Sequence, residues 1–156
     1  FSLVPPYLRT DDSLEGVGGP PWLSEFGFQQ TRGFRALKVW MALKHHGLGG
    51  YRALMEHDLA LADRLAAHIE AAPALELLAR GLSVVCFRLA PPALGVQADG
   101  LDELNRRVLA AVQMSGQAFV TGTSVRGQFA LRACVVNPRS AEADIDALVR
   151  LVRQLA

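Results

Sequence analysis

Lysine is almost missing from this chain of 156 residues: Lys38 and Lys44 stand against fourteen arginines. An amine that forms an imine usually projects from a strand end or loop into a pocket. Lys38 lies on the flank of a helical stretch and Lys44 in its last turn, where a cation suits the carbonyl ends. Neither is expected to react. Cysteine is scarce as well: Cys86 and Cys134 both fall in apolar, strand-like runs, where a thiol packs as a small hydrophobe and not as part of a disulfide framework. That usage suggests a reducing cytoplasm. Charge of one sign is lacking too, with a formal net charge of +1 and arginines scattered along the chain, so no basic stripe exists for a nucleic acid. No apolar run approaches the roughly 20 residues of a bilayer span, and Phe1 to Thr10 lacks the basic-then-apolar order of an export signal. No membrane association is expected. The chain opens without methionine on "FSLVPPYLRTDDSLEGVGGPPW", too rich in Pro and Gly for a regular element. It reads as a piece of something longer.

What is present is apolar: 51% of the residues are hydrophobic, enough for one compact core and too short a chain for two. Phe34, Leu37 and Met41 share one face at helical spacing, which predicts a first helix from about 32 to 46, stopped by Gly47. A second runs from Gly50 to about Ala72 with a stripe of Tyr51, Leu54, Met55, Ala62, Leu65 and Ile69, and Pro73 ends it. From Gly81 the period changes. "LSVVCFRLA" is a short, nearly continuous apolar run, as in a central strand covered on both faces. Asp99 is placed to cap a helix carrying Leu101, Leu104, Val108, Ala111 and Val112, with Gly116 at its end. "AFVTGTSVRGQFALRACVVN" predicts a hairpin turning around Ser124 to Gly127. Ser140 is placed to cap a last helix whose inward residues are Ile145, Leu148, Val149 and Val152. The order is two helices, strand, helix, strand, strand, helix. The expected fold class is α/β, in the α+β sense of a small antiparallel sheet covered by helices.

Few residues invite chemistry. His57 and His68 lie on a similar side of the second helix, but eleven residues of rise separate them by about 16 Å, too far for one ion. His45 and His46 are adjacent at a helix end, and no paired cysteines accompany them, so no metal site is expected. "GTSVRG" lacks the Lys-Ser/Thr of a phosphate loop and is explained by turn geometry. Neither cysteine has the electropositive, exposed setting of a nucleophile, and no serine elbow occurs.

"QQTRGFRALKVWMALKHHG" is the unusual stretch, a polar collar leading an apolar helix. It resembles the start of the C-terminal part of the pyridoxal-phosphate-dependent group II amino-acid decarboxylases, the family of the aromatic-amino-acid decarboxylases. The resemblance extends through "GLGGYRAL", "GLSVVCFRL" and "LRACVVNPRSAEADIDAL", and "PPYLRT" resembles the mobile catalytic loop of that family. It implies the C-terminal domain of a fold-type I enzyme that works as a homodimer with pyridoxal 5'-phosphate. The cofactor lysine would lie in an N-terminal portion outside this chain. Residues 1–31 would then be catalytic loop and linker, and residues 32–156 the C-terminal small domain with its leading helices.

On that resemblance Tyr7 matches the loop tyrosine that closes over the site and delivers a proton after carbon dioxide leaves. Gln30 and Thr31 match the stretch that approaches the cofactor phosphate, where a helix start offers free N–H groups; Thr31 is equally suited to ordinary capping. Gly33 stands where many relatives carry a second arginine. Arg132 matches an arginine near the substrate carboxylate or the site entrance, with an ion pair to Asp58 as the alternative. The implied activity is decarboxylation of an L-amino acid, aromatic for preference. Another fold-type I lyase and a non-catalytic dimerisation or binding module are the alternatives.

Overall fold

The structure is a computed structural model, and it describes residues 33–91 and 98–155. The chain divides into two compact units, Phe1–His45 and His46–Ala156. Among the described residues it forms three helices and four strands: α1 Arg35–Glu70, β1 Leu75–Gly81, β2 Val84–Leu89, α2 Ala98–Ser115, β3 Thr121–Val125, β4 Gln128–Cys134 and α3 Glu142–Gln154. The two helices read from the sequence are the halves of α1, separated at Gly47, whose φ of 67° and ψ of 167° are not helical. A side chain at that φ would clash with its own backbone, which is why the break falls on glycine.

In the first unit, Phe34, Leu37, Val39, Trp40 and Met41 are all exposed. The stripe of the second half of α1 is narrower than its spacing suggested. Leu61, Ala62, Leu65, Ala66 and Ile69 are buried, whereas Met55 is 60% exposed.

The sheet order is β1-β2-β4-β3, so β2 and β4 are central, and every pairing is antiparallel. β2 is the central strand expected from "LSVVCFRLA", and its last five residues are all buried. β1 was missed by the sequence reading. "LELLARG" is made mostly of good helix formers, but pairing along β2 from Leu75↔Leu89 to Gly81↔Val84 overrides that preference. The β3–β4 hairpin turns at Arg126 and Gly127, both left-handed with φ of 51° and 79°. Two such residues are what a two-residue hairpin needs to match the strand twist.

Strand alternation divides the sheet into two faces. Val85, Phe87, Leu89, Leu131 and Ala133 share one, and they form a single core with Leu65 and Ile69 of α1, Val108 and Val112 of α2, and Ile145, Leu148 and Val152 of α3. The second half of α1, α2 and α3 therefore cover the same face. The opposite face carries Cys86 and Arg88 on β2 and Ala130, Arg132 and Cys134 on β4.

Two caps differ from expectation. α2 begins at Ala98, ahead of Asp99. α3 has Ala141, not Ser140, at its N-cap, and Asp144 reaches back to accept the Ala141 N–H at 2.9 Å. Ser140 is held through its carbonyl, 2.9 Å from His57 Nε2.

Candidate functional site: the outer face of the sheet

Arg132 lies near the middle of β4 and points away from the core, as its alternation with Leu131 predicts: Leu131 is fully buried and Arg132 exposed. Its cross-strand neighbours are Cys86 on β2 and Thr121 on β3. The Arg132 Nε–H donates to Cys134 Sγ at 3.3 Å. No ion pair links Arg132 to Asp58 among the described residues. Asp58 lies on α1, on the other side of the sheet, and its Oδ1 is buried without a hydrogen-bond partner.

Cys134 corrects an expectation. It was read as buried with its strand, but it sits two residues from Arg132 on the same face and is exposed, whereas Cys86 is buried. Both thiols are free. Burial pushes the Cys86 thiol up; the nearby Arg132 guanidinium pulls it down and Cys134 pushes it up, each less than burial does.

Arg88 shares this face, two residues from Cys86, and contrasts with Arg132. It is 7% exposed, and its Nε donates to Glu76 Oε2 at 2.7 Å across the β1–β2 pair. Glu76 neutralises it, while its Nη1 is buried without an acceptor. The face thus carries one paired arginine and one exposed one, and among the described residues no carboxylate pairs with Arg132. A guanidinium in that state is suited to a planar carboxylate, which it can meet with two parallel N–H bonds.

The remaining candidates, Tyr7, Gln30 and Thr31, lie outside the described residues. Both lysines are exposed on α1. The described residues therefore do not by themselves make a site for an aldehyde cofactor: no lysine is enclosed in a pocket. His57 is held on Ser140, and His68 lies 3.0 Å from Asp146. Among the described residues no three His, Cys, Asp or Glu side chains are gathered as a metal would require, and no helix is long and apolar enough to cross a membrane.

Sequence reasoning missed the polar clamp at the end of the sheet. The β2–β4 ladder ends at Phe87↔Leu131. Two residues further along each strand, the Leu89 N–H donates to Asn105 Oδ1 at 2.7 Å, Asn105 Nδ2 donates to the Leu89 carbonyl at 2.9 Å, and the Phe129 N–H donates to Asp102 Oδ1 at 2.9 Å. Two α2 side chains thus satisfy backbone groups that a longer ladder would have joined. The signal was present, since Asn105 sits within the apolar spacing of Leu101, Leu104, Val108 and Val112.

Comparison with known proteins decides the family. The Pyridoxal-dependent decarboxylase conserved domain matches residues 1–90. This chain belongs to that family. The aromatic-L-amino-acid decarboxylase of Bacillus atrophaeus is 29% identical over 157 residues, covering 100% of this chain and 32% of the relative. Tyrosine decarboxylase 2 of Arabidopsis thaliana is 33% identical over 127 residues, covering 81% of this chain and 23% of that protein. This member of the pyridoxal-dependent decarboxylases thus spans less than a third of the length of these curated relatives. Among solved structures, Oryza sativa TDC with PLP and tryptamine superposes with a TM-score of 0.82 at 25% identity, over 97% of this chain and 31% of that one. The glutamate decarboxylase domain of the Vibrio parahaemolyticus diaminobutyrate-pyruvate transaminase and L-2,4-diaminobutyrate decarboxylase gives 0.71 at 29% identity, over 85% and 28%. The α+β unit is therefore one part of the fold-type I decarboxylase architecture.

Proposed function

We propose that this chain is the C-terminal portion of a pyridoxal-phosphate-dependent decarboxylase that releases carbon dioxide from an aromatic L-amino acid. The observation that carries the reading is the superposition of 97% of the chain, at a TM-score of 0.82, on the solved structure of Oryza sativa TDC with PLP and tryptamine. The aromatic, tyrosine and tryptophan decarboxylases among the sequence relatives favour an aromatic substrate. Bound to a lysine outside this chain, the cofactor would supply the electron sink for loss of carbon dioxide.

Each candidate residue has a role that its chemistry fits. Arg132 would take the substrate carboxylate, which is supported by its exposed position on the sheet face opposite the core, without an acidic partner among the described residues. Tyr7 would donate a proton to the carbon that has lost carbon dioxide, a task a phenol performs well from a closed, dry lid. Gln30 and Thr31, which precede α1 in the sequence, would offer hydrogen-bond donors to the cofactor phosphate.

The N-terminal, cofactor-binding portion and a second copy of the enzyme would cover the first half of α1. Leu37 and Met41 lie on one side of that helix at i, i+4, and Val39 and Leu43 lie on roughly the opposite side at the same spacing; all four are more than 40% exposed. A helix apolar on opposite sides belongs inside a larger assembly and not on a surface. The same exposure is what favours the alternative of a dimerisation module without catalysis. The two free thiols are in keeping with a reducing cytoplasm.

The experiment is Tyr7→Phe in the full-length enzyme. It should retain cofactor, seen as the imine absorption band, while forming amine far more slowly than the parent. Amine formed at the parent rate would refute the role of Tyr7, and a full-length protein with no imine band would refute the enzyme reading in favour of the module.

A further inference from the structure

The carboxylate-binding reading of Arg132 leaves open what aims its guanidinium. An exposed arginine has four rotatable side-chain bonds, and a ligand that must freeze them binds more weakly. Arg132 is anchored before any ligand arrives, because its Nε–H donates to Cys134 Sγ at 3.3 Å. Strand geometry makes this contact possible: residues two apart on β4 emerge on the same face. The neighbour opposite on β2 is Cys86, whose thiol burial keeps protonated, so no anion competes for the guanidinium there. With Nε engaged, the edge formed by Nη1 and Nη2 is the one left for a bidentate carboxylate.

We propose that Cys134 is a positioning residue for substrate recognition: its sulfur holds Arg132 by Nε and presents the Nη1/Nη2 edge to the carboxylate of the amino acid. The inference rests on the reading of Arg132 given above. Arg88 shows the contrasting arrangement on the same face. Its Nε is held by a carboxylate, Glu76, which neutralises it and suits it to structure rather than to an anionic ligand. A thiol orients without neutralising, so Arg132 keeps its full charge for the substrate.

The test compares two ligands that differ by the carboxylate alone, in the full-length enzyme: L-tyrosine with tyramine, or L-tryptophan with tryptamine, according to which amino acid is turned over. Cys134→Ala should raise KM for the amino acid by about fivefold, the worth of one modest hydrogen bond, with a smaller change in kcat. The inhibition constant of the amine should stay at its parent value, because the amine has no carboxylate for Arg132 to meet. Cys134→Ser, which keeps an acceptor at the same place, should restore KM. An unchanged KM in Cys134→Ala, where Arg132→Met raises it, would overturn the positioning role and leave the Arg132 reading standing. An unchanged KM in Arg132→Met would overturn both. Equal weakening of amino acid and amine in Cys134→Ala would mark a damaged fold, and that result also overturns the proposal.

Discussion

Replacing Asn105 with alanine should open the end of the sheet nearest α2. Asn105 is fully buried, and its amide makes two bonds to the backbone of Leu89, itself fully buried. Alanine leaves one N–H and one C=O without partners in an interior that water does not reach. Each such group costs about 1–3 kcal/mol, so the pair, after some relaxation, costs about 3 kcal/mol. Hydrogen exchange at the Leu89 amide reads this directly: a loss of that size should lower its protection by about a hundredfold, at 1.4 kcal/mol per decade. Asn105→Leu serves as the companion variant, since it refills the volume with apolar atoms and restores neither bond. It should lose protection by a similar factor, separating the missing hydrogen bonds from the cavity. If either variant changes protection by less than about tenfold, the clamp is not what closes this end of the β2–β4 ladder.

Three further perturbations follow from other contacts. The Arg64 guanidinium hydrogen-bonds Asp146 through two bonds of 2.9 Å and, with its charge and that of His68, holds the carboxyl below its ordinary range; the depressed acid contributes stability at neutral pH that is lost as pH falls through its native value, and Asp146→Asn should remove that part of the acid limb in denaturation measured against pH. A Cβ on Gly122 would meet Phe129 Cζ at 2.8 Å and Leu109 Cδ2 at 3.1 Å, beneath a ring that Arg106 covers at 4.8 Å. Gly122→Ala should therefore cost about 1–3 kcal/mol in urea denaturation, and a neutral effect would show that the Phe129 ring moves aside freely. Leu82 sits 80% exposed with φ of 49° in the β1–β2 turn; asparagine tolerates that conformation better, so Leu82→Asn should stabilise by about 0.5–1 kcal/mol in the same assay.

Periodicity made much of the fold legible before any coordinates. The apolar spacing of α2 and α3, the β-branched run of β2 and the turn chemistry of the β3–β4 hairpin are local properties, and local geometry dictates them. β1 was not legible. Its residues prefer helix in isolation, and only the backbone groups of β2 beside it make the extended form better. The caps moved for a related reason: Asp144 and Ser140 are both competent polar residues, and which one serves depends on where the chain enters α3. Of the candidate site, the outward face of Arg132 could be read from alternation with Leu131. The same period would have placed Cys134 beside it, but "ACVVN" reads as an apolar run, and a run conceals which face each member takes.

The sequence by itself determined that a small α+β unit would form, and its resemblances pointed to the decarboxylase family, because both are carried by side-chain order along the chain. Tertiary structure alone decided that α2, α3 and the second half of α1 cover one face of the sheet, leaving Arg132 exposed on the other with its Nε on Cys134 and Arg88 buried against Glu76. The reason is physical: a strand has two faces of equal standing, and which one becomes interior is settled only when the helices have buried their stripes against it.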